Sequence, residues 1–449
     1  MALKVFDKLN HVGGVVTSSD DEKIKNFFRL MNKEVATRKD KFAKLGITSY
    51  NSYCEAGYSD IPQIAIAIDN FIAMKELYAD YEDDLLNLCR EGTSLGICLV
   101  FTSLQTNGIN YKYMSNFPTK ICMYCNSSDE YNSLFDRCRI HPKNVPGRSL
   151  IEVNKDIFEC QTYLAFNGER EIDRVNEIQE YIINTNKVYP NDFAKRIPEV
   201  PAELDTEYVT NNYKNNNHNY VLPVGIDYDT VEFVALDLSK TLSIAISGRE
   251  HSGKSNFVKL IMDYCQNEVF DCPVKAYLID SYEKGLYDFS SYGFVERYTI
   301  DTNETDTIFE SIETELIRRK KDVQEFGIER IANEPLLLCV IENNNIFEAN
   351  GISKQAVETY KRIVTNYKHF KVLFVFSDVP NLNIGYSSPE MLKQMKEVNL
   401  NFCFDDLTNT KLFDFNATIM RCFKKPIELG DSYRITPDGS VMKLKTIKS

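Results

Sequence analysis

The sequence of 449 residues has no apolar run of the roughly 18–20 residues that a membrane-spanning helix needs. It also has no excess of positive charge, since 65 Asp and Glu against 52 Lys and Arg give a net charge of -13. A broad nucleic-acid-binding surface needs the opposite balance, although a local basic groove is compatible with this charge. No basic and then apolar segment follows Met1, so we expect a soluble chain that is not itself secreted.

The cysteines do not form a framework of closely spaced pairs. There are 12 of them, and several lie in apolar, strand-like runs, as Cys98, Cys339 and Cys403 do. This usage is typical of a reducing cytosol, where cysteine acts as a small apolar side chain. Cys122 and Cys125 form a CxxC pair, but a zinc site normally needs four ligands. We therefore interpret this pair as structural.

The composition is that of an ordinary globular protein, with 43% hydrophobic and 26% charged residues. The length favours two to four domains. Residues 186–220 differ from the rest, because they contain several prolines and a tract of asparagines that have little to bury. We therefore predict two modules, residues 1–185 and 221–449, joined by a linker over residues 186–220.

The two modules repeat each other in sequence. Each contains a charged amphipathic helix with a Glu four residues before an Arg and a Gly at the helix end: Glu34, Arg38 and Gly46 in the first module, Glu315, Arg319 and Gly327 in the second. In each, a buried strand then ends at an acid, Asp69 or Glu342, and a second buried strand follows. Continuous apolar strands that alternate with helices predict an α/β fold with mainly parallel sheets.

The repeat is incomplete at its start. The second module has two further strands, predicted over residues 241–247 and 274–279, that the first module lacks. We therefore expect the first module to be truncated at its N-terminus and to lack a phosphate-binding loop.

The strongest chemical signal is a phosphate-binding loop in the second module. The segment from Gly248 to Ser255 fits the GxxxxGK[ST] pattern and lies between a predicted strand and a predicted helix, the context that the pattern requires. The residues predicted to bind the nucleotide are Gly248, Arg249, Glu250, His251, Ser252, Gly253, Lys254 and Ser255. Lys254 would reach the β- and γ-phosphates of ATP, and the Ser255 hydroxyl would bind Mg²⁺. Glu250 does not suit a phosphate site unless Arg249 neutralises it.

Hydrolysis needs further residues. Glu342, at the end of a buried strand, is the candidate catalytic residue and second Mg²⁺ ligand, although a polar residue that merely ends a strand is the simpler reading. The next residue is Asn343, and the matching position in the first module is Asn70. An amide cannot accept a proton from the attacking water, so we expect weak or absent ATP hydrolysis.

Several segments resemble a known family. Val221–Tyr228 with the phosphate loop resembles the start of an FtsK/SpoIIIE-type ATPase domain, with a P-loop NTPase-like (RecA-like) fold. Pro62–Phe71 and Arg90–Ile97 are similar to the later half of another such domain. The whole arrangement resembles the C-terminal part of the EssC-type ATPases of type VII secretion systems. The chain departs from the superfamily pattern at Thr93, where Arg is usual, and at Asn70 and Asn343, where Glu is usual.

The resemblance implies a secretion motor at the cytoplasmic face of the cell membrane. Its partners would be upstream ATPase domains, the membrane part of the machine and small secreted proteins that fold as helical hairpins, and the full-length protein would be able to form a homo-oligomer. The terminal domains of that family are thought to be regulatory and to recognise substrates. Arg90 could bridge subunits, or be a solvated arginine at a helix end. Two alternatives stay open: a DNA translocase of the same superfamily, and a non-catalytic scaffold.

Overall fold

The computed structural model describes residues 2–106, 108–135, 138–214, 220–266, 273–397, 400–423 and 426–449. The chain divides into two units, Met1–Glu199 and Val200–Ser449. The boundary lies inside the segment predicted as a linker, where a short helix covers Thr206–Asn212. Of the asparagine tract in that segment, residues 215–219 lie outside the described residues. Within the described part of the chain, no helix is both long enough and apolar enough to cross a membrane.

The first unit combines a long helix with two small sheets. Its helices are α1 (Asp21–Leu45), α2 (Tyr50–Glu55), α3 (Phe71–Leu77), α4 (Glu82–Glu91), α5 (Tyr111–Met114), α6 (Ser128–Leu134) and α7 (Glu171–Val188). Its strands are β1 (Ile64–Ile68), β2 (Ile97–Phe101), β3 (Ile121–Met123), β4 (Arg148–Val153) and β5 (Asp156–Gln161). Strands β1 and β2 are parallel, as predicted, whereas β3, β4 and β5 form a separate antiparallel sheet.

The antiparallel sheet was not predicted from the sequence. Strands β4 and β5 form a hairpin in which Val153 pairs with Asp156. The two residues between them, Asn154 and Lys155, have φ of 53° and 71°. Two successive positive φ values are typical of the tight turn whose twist matches that of the flanking strands, and Asn favours this turn. The Asn between two half-apolar segments was the signal that would have found the hairpin.

The second unit is built on one ten-stranded sheet. Its helices are α8 (Thr206–Asn212), α9 (Lys254–Gln266), α10 (Thr305–Phe326), α11 (Lys354–Asn366), α12 (Glu390–Glu397) and α13 (Ala417–Cys422). Its strands are β6 (Val221–Asp227), β7 (Phe233–Asp237), β8 (Ser243–Gly248), β9 (Val274–Asp280), β10 (Val295–Thr299), β11 (Leu336–Glu342), β12 (Val372–Phe376), β13 (Leu400–Phe404), β14 (Asp431–Ile435) and β15 (Val441–Thr446). The strand order is β10-β9-β11-β12-β8-β13-β14-β15-β6-β7.

The strands from β10 to β13 in this order are parallel, and those beyond β13 are antiparallel. Apolar clusters lie on both faces of the sheet, one involving α9 and the other α10 and α11. Strand β11 is buried along its length up to Ile341, which explains why its sequence is continuously apolar rather than alternating. The predicted α/β fold class is confirmed.

The repeat seen in the sequence has a structural basis in the pairing of strands. In the first unit Ile68, directly before Asp69, lies opposite Phe101. In the second unit Ile341, directly before Glu342, lies opposite Phe376. Both acids therefore stand at the same place at the carboxyl end of a parallel strand pair.

A buried arginine accompanies each strand pair. In α1, Arg38 is 1% exposed, and its Nε donates to Glu34 Oε1 at 2.9 Å. Its Nη1 donates to the carbonyl oxygen of Leu95 at 2.8 Å, and its Nη2 to that of Pro62 at 2.8 Å. The pair predicted from the i,i+4 spacing therefore forms, and the guanidinium also ties the helix to the chain that leads into β1 and β2.

The second unit has the corresponding arrangement in α10. Arg319 Nε lies 3.1 Å from Glu315 Oε1, and Nη1 donates to the carbonyl oxygen of Phe370 at 2.9 Å. Phe370 precedes β12 by two residues, as Leu95 precedes β2. The planar guanidinium suits this role because it presents several donors in a fixed geometry.

Candidate phosphate-binding site

The segment predicted to bind phosphates has the expected strand, loop and helix. Strand β8 ends at Gly248, and α9 begins at Lys254. Gly248 has a φ of 150°, and a Cβ there would lie 2.8 Å from the carbonyl oxygen of Phe404 on β13. Gly253 has a φ of 115°. Both positions favour glycine, so the backbone can curl over the N-terminus of α9, where amide groups and the helix dipole attract anions.

Lys254 is held by three acceptors. Its Nζ donates to the carbonyl oxygens of Gly248 at 3.0 Å and Arg249 at 2.7 Å, and lies 3.2 Å from Oδ1 of Asp378. The Lys254 side chain is 12% exposed and that of Asp378 is 43% exposed. The ammonium group is thus fixed over the loop by two neutral oxygens and one carboxylate.

The other loop residues are placed as follows. Ser252 is buried, and its hydroxyl donates to the carbonyl oxygen of Arg249 at 2.7 Å. His251 has a left-handed φ of 55°. Glu250 and Ser255 are exposed. Arg249, which we expected to neutralise Glu250, donates from Nη2 to the carbonyl oxygen of Ile427 at 3.3 Å.

Acidic side chains gather at the carboxyl edge of the sheet. Glu342 ends β11 and pairs in register with Asp280, which ends β9. The pKa of Glu342 is raised to about 7, first by burial and then by the charges of Asp280 and Asp378, while Lys254 acts in the opposite direction. Asp280 is fully buried and accepts hydrogen bonds from the backbone N–H of Leu286 and from the Tyr298 hydroxyl, each at 2.9 Å.

Asn343 has a structural role that the sequence did not reveal. It is 2% exposed, and its Nδ2 donates to the carbonyl oxygen of Asp280 at 2.7 Å. Its Oδ1 accepts from the backbone N–H of Asn345 at 3.1 Å. The amide therefore fixes the chain after β11 to the end of β9, and it has no proton-accepting group to offer to a water.

Asp378 and Asn344 belong to the same edge but were not predicted as site residues. Asn344 Nδ2 donates to Asp378 Oδ2 at 2.8 Å. Both line a cleft of about 300 Å³ together with Gly248, Phe347, Glu348, Val379, Pro380, Asn381 and Leu382. Their position just after two buried parallel strands was the available signal, because ligands of such sheets bind at the carboxyl ends of the strands.

The residues brought together at this edge suit a nucleotide with its metal ion. The loop between Gly248 and Lys254 offers amide groups and a lysine for phosphates. The Ser255 hydroxyl and the Glu342 carboxylate are hard oxygen donors of the kind that Mg²⁺ prefers. The chemistry of this donor set therefore fits Mg·ATP.

The first unit has the strand-end acid without such a loop among its described residues. Asp69 Oδ1 accepts from the Thr102 hydroxyl at 2.6 Å, and the backbone N–H of Asn70 donates to the same hydroxyl at 3.1 Å. Arg90 and Thr93 are exposed near the end of α4. The contacts of Asp69 and Asn70 with Thr102 link the carboxyl ends of β1 and β2.

The cysteines of the antiparallel sheet lie close together. Cys122 and Cys125 have their sulfur atoms 3.8 Å apart, and Cys138 belongs to the same apolar cluster. Cys138 and His141 form a CxxH pair that was not predicted as a site, and the His141 ring packs edge-on against Tyr131. Even so, no three potential ligands in the described ranges are arranged to hold a metal ion.

The strand order and the phosphate loop define the class of the second unit. A loop of this type after β8, with β12 and then β11 beside it and acids at the ends of β9 and β11, is the arrangement of a P-loop NTPase. The chain matches the solved structure of EssC (ATPases 2 and 3) from Geobacillus thermodenitrificans with a TM-score of 0.82 and 24% identity, over 99% of this chain and 83% of that one. It matches Thermomonospora curvata EccC (ATPases 2 and 3) in complex with a signal sequence peptide with a TM-score of 0.62 and 17% identity, over 100% and 80%.

Sequence comparison gives the more particular relationship. The chain is 29% identical over 324 residues to the ESX secretion system protein EccC of Geobacillus thermodenitrificans, covering 71% of this chain and 22% of that protein. It is 26% identical over 280 residues to the ESX secretion system protein YukB of Bacillus subtilis, covering 62% and 18%. No protein-family model matches. The chain is a homologue of the EccC, YukB and EssC ATPases of type VII secretion, and it spans about a fifth of the length of these curated relatives.

In the absence of metal, Glu342→Gln is expected to make the second unit more stable than wild type, by a margin that grows as the pH rises. The pKa of about 7 lies above the ordinary 4.5, so the folded chain holds a proton that the unfolded chain releases, and the ionised carboxylate costs stability. The wild-type chain should lose up to roughly 3 kcal/mol relative to Glu342→Gln between about pH 4.5 and pH 8. Denaturant unfolding in EDTA at several pH values measures this loss.

Glu348→Gln is the matched control, because Glu348 lines the same cleft but is exposed. Its stability difference from wild type should change little with pH. A Glu342→Gln difference that is also independent of pH would contradict the assignment.

Proposed function

We propose that this chain is a nucleotide-binding, regulatory part of a type VII secretion motor, in which the second unit binds Mg·ATP and hydrolyses it weakly or not at all. The observation that carries the proposal is the loop from Gly248 to Ser255, with Lys254 fixed above it at the carboxyl edge of the sheet. Sequence similarity to the secretion system proteins EccC and YukB supports a role in secretion for the protein as a whole.

The chain's own residues would act by binding and orientation. The amides between Gly248 and Gly253 would hold phosphate oxygens. Lys254 would exchange one of its present acceptors for an oxygen of the β- or γ-phosphate. Ser255 and Glu342 would hold Mg²⁺, which when bound offsets phosphate charge. Because Glu342 is partly protonated near neutral pH, metal binding would also release a proton.

Weak hydrolysis follows from the residue after Glu342. A general base that activates the attacking water contributes about 10²–10⁴-fold to a rate. Asn343 lacks a basic group, and its amide is already engaged with Asp280 and Asn345. The site would therefore act through the bound nucleotide rather than through its turnover.

Substrate recognition is the second part of the proposal. Thermomonospora curvata EccC (ATPases 2 and 3), which has a similar fold, has been solved in complex with a signal sequence peptide. We propose that the second unit likewise binds a helical signal peptide of a small secreted helical-hairpin protein. Upstream ATPase domains, the membrane part of the machine and further copies of the chain would be its other partners, at the cytoplasmic face of the membrane.

Two alternatives differ in what they bind. A DNA translocase would show DNA affinity that falls steeply with salt, which the net charge of -13 does not favour. A scaffold with a relic loop would bind neither DNA nor nucleotide, so it would show no nucleotide-dependent stabilisation.

Mg·ATP at 100 times its dissociation constant should stabilise the second unit by about 2.7 kcal/mol, because the ligand binds the folded state alone. Lys254→Ala should abolish this shift, whereas Lys259→Ala, which removes an exposed lysine from the same helix, should preserve it. Thermal or denaturant unfolding of the full chain with and without ligand measures the shift. A shift that survives in Lys254→Ala would refute the assignment of the loop.

A synthetic peptide with the C-terminal sequence of a helical-hairpin substrate encoded nearby should bind the full chain. An amphipathic helix would use apolar anchors at i, i+3 and i+4, so a peptide with these anchors replaced by serine is the control. Calorimetric titration with and without Mg·ATP also tests coupling, since each ligand must change the affinity of the other by the same factor. Equal, millimolar binding of both peptides would leave recognition without support.

A further inference from the structure

Asp378 occupies a strained position beside the phosphate loop. It follows β12 by two residues and has a left-handed φ of 58°, a conformation that Asp and Asn tolerate better than other residues with a side chain. One carboxylate oxygen accepts from Asn344 Nδ2 at 2.8 Å, and the other lies 3.2 Å from Lys254 Nζ. Asn344 therefore holds one oxygen of the carboxylate and orients the other toward Lys254.

The lysine has no spare donor in this arrangement. An ammonium group has three N–H bonds, and Lys254 directs them to Gly248, Arg249 and Asp378. Two of these acceptors are neutral carbonyl oxygens. Only Asp378 carries a charge, so it offsets the positive charge that the loop would otherwise present to a ligand.

We propose that Asp378 sets the nucleotide preference of this site, so that the second unit takes a nucleoside diphosphate in preference to a nucleoside triphosphate. The inference rests on the proposed function, namely that the loop binds a nucleotide. It adds which nucleotide is favoured and names the residue responsible, which is not part of the loop motif.

The two nucleotides differ only in the third phosphate. Loop amides hold the α- and β-phosphates, while the lysine reaches the β- and γ-phosphates. A diphosphate therefore keeps the amide contacts, which do not involve Asp378. A triphosphate brings further negative charge toward a lysine that is already paired with the Asp378 carboxylate, and the two negative charges repel each other.

The surroundings reinforce this repulsion. Glu348 is exposed and lines the same cleft as Asp378. Mg²⁺ would offset part of this charge for both nucleotides. We expect the remaining difference to be about tenfold in affinity, equal to about 1.4 kcal/mol.

The test is calorimetric titration of the full chain with Mg·ADP and with a Mg-bound, non-hydrolysable ATP analogue. The wild-type chain should bind ADP about tenfold more tightly, and Asp378→Asn should bring the ratio of the two dissociation constants close to one. Asparagine keeps the shape of the side chain and also tolerates the left-handed backbone. If that variant does not melt cooperatively, Asp378→Gly replaces it, because the positive φ suits glycine.

Asp322→Asn is the control that removes an equal charge elsewhere in the unit. Asp322 lies on α10 and pairs with Arg318, which also contacts Glu334 before the amino end of β11, on the opposite edge of the sheet. This variant should keep the wild-type ratio.

Three results would overturn the inference. They are equal affinities of the wild-type chain for the two nucleotides, a ratio that Asp378→Asn leaves within twofold of wild type, and a ratio that Asp322→Asn lowers as much. In all three the loop still binds nucleotide, so the proposed function stands. Absence of binding by either nucleotide to the wild-type chain would overturn both.

Discussion

The parallel alignment of β8, β11 and β12 is the constraint on which the second unit depends. Because these strands run in the same direction, the segments that follow them meet at one edge of the sheet. Gly248 at the end of β8, Glu342 at the end of β11 and Asp378 after β12 are brought together in this way, although they are far apart in sequence. The apolar interior that holds the strands therefore also places the charged groups.

The first unit shows the same constraint with a different outcome. Its strands β1 and β2 place Asp69 where the second unit has Glu342, and Arg38 ties its helix to the incoming chain as Arg319 does. Yet Asp69 accepts a hydrogen bond from the Thr102 hydroxyl, and the residues of this unit that the structure describes include no phosphate loop. The repeat thus preserves the architecture of the pair of strands, and the chemistry of the strand ends differs between the units.

The sequence was most informative where a residue's role depends on its immediate neighbours. The phosphate loop is contiguous, so its pattern and the strand and helix around it could be predicted, as could the strand that ends at Glu342. The contact between Lys254 and Asp378 joins positions whose proximity depends on strand order, which no local pattern encodes. The antiparallel sheet of the first unit was missed because its strands are short and half-buried, so only the turn at Asn154 marked it.

The role of Asn343 shows a further limit. Its inability to act as a base follows from its chemistry alone and could be stated from the sequence. The sequence could not show that this amide bridges the ends of β9 and β11. The bridge forms because the fold buries Asn343 beside Asp280. The structure therefore gives a physical reason for an amide at this place, where a carboxylate would bring a third charge beside Asp280 and Glu342.

The central claim is that this edge of the sheet binds a nucleotide without turning it over efficiently. Steady-state ATP turnover by the purified 449-residue chain at saturating Mg·ATP tests it most directly. Because a missing general base costs about 10²–10⁴-fold and a typical enzyme turns over about 10 times per second, we predict a rate at or below about 0.1 s⁻¹. A rate of about 10 s⁻¹ that Lys254→Ala abolishes would contradict the account.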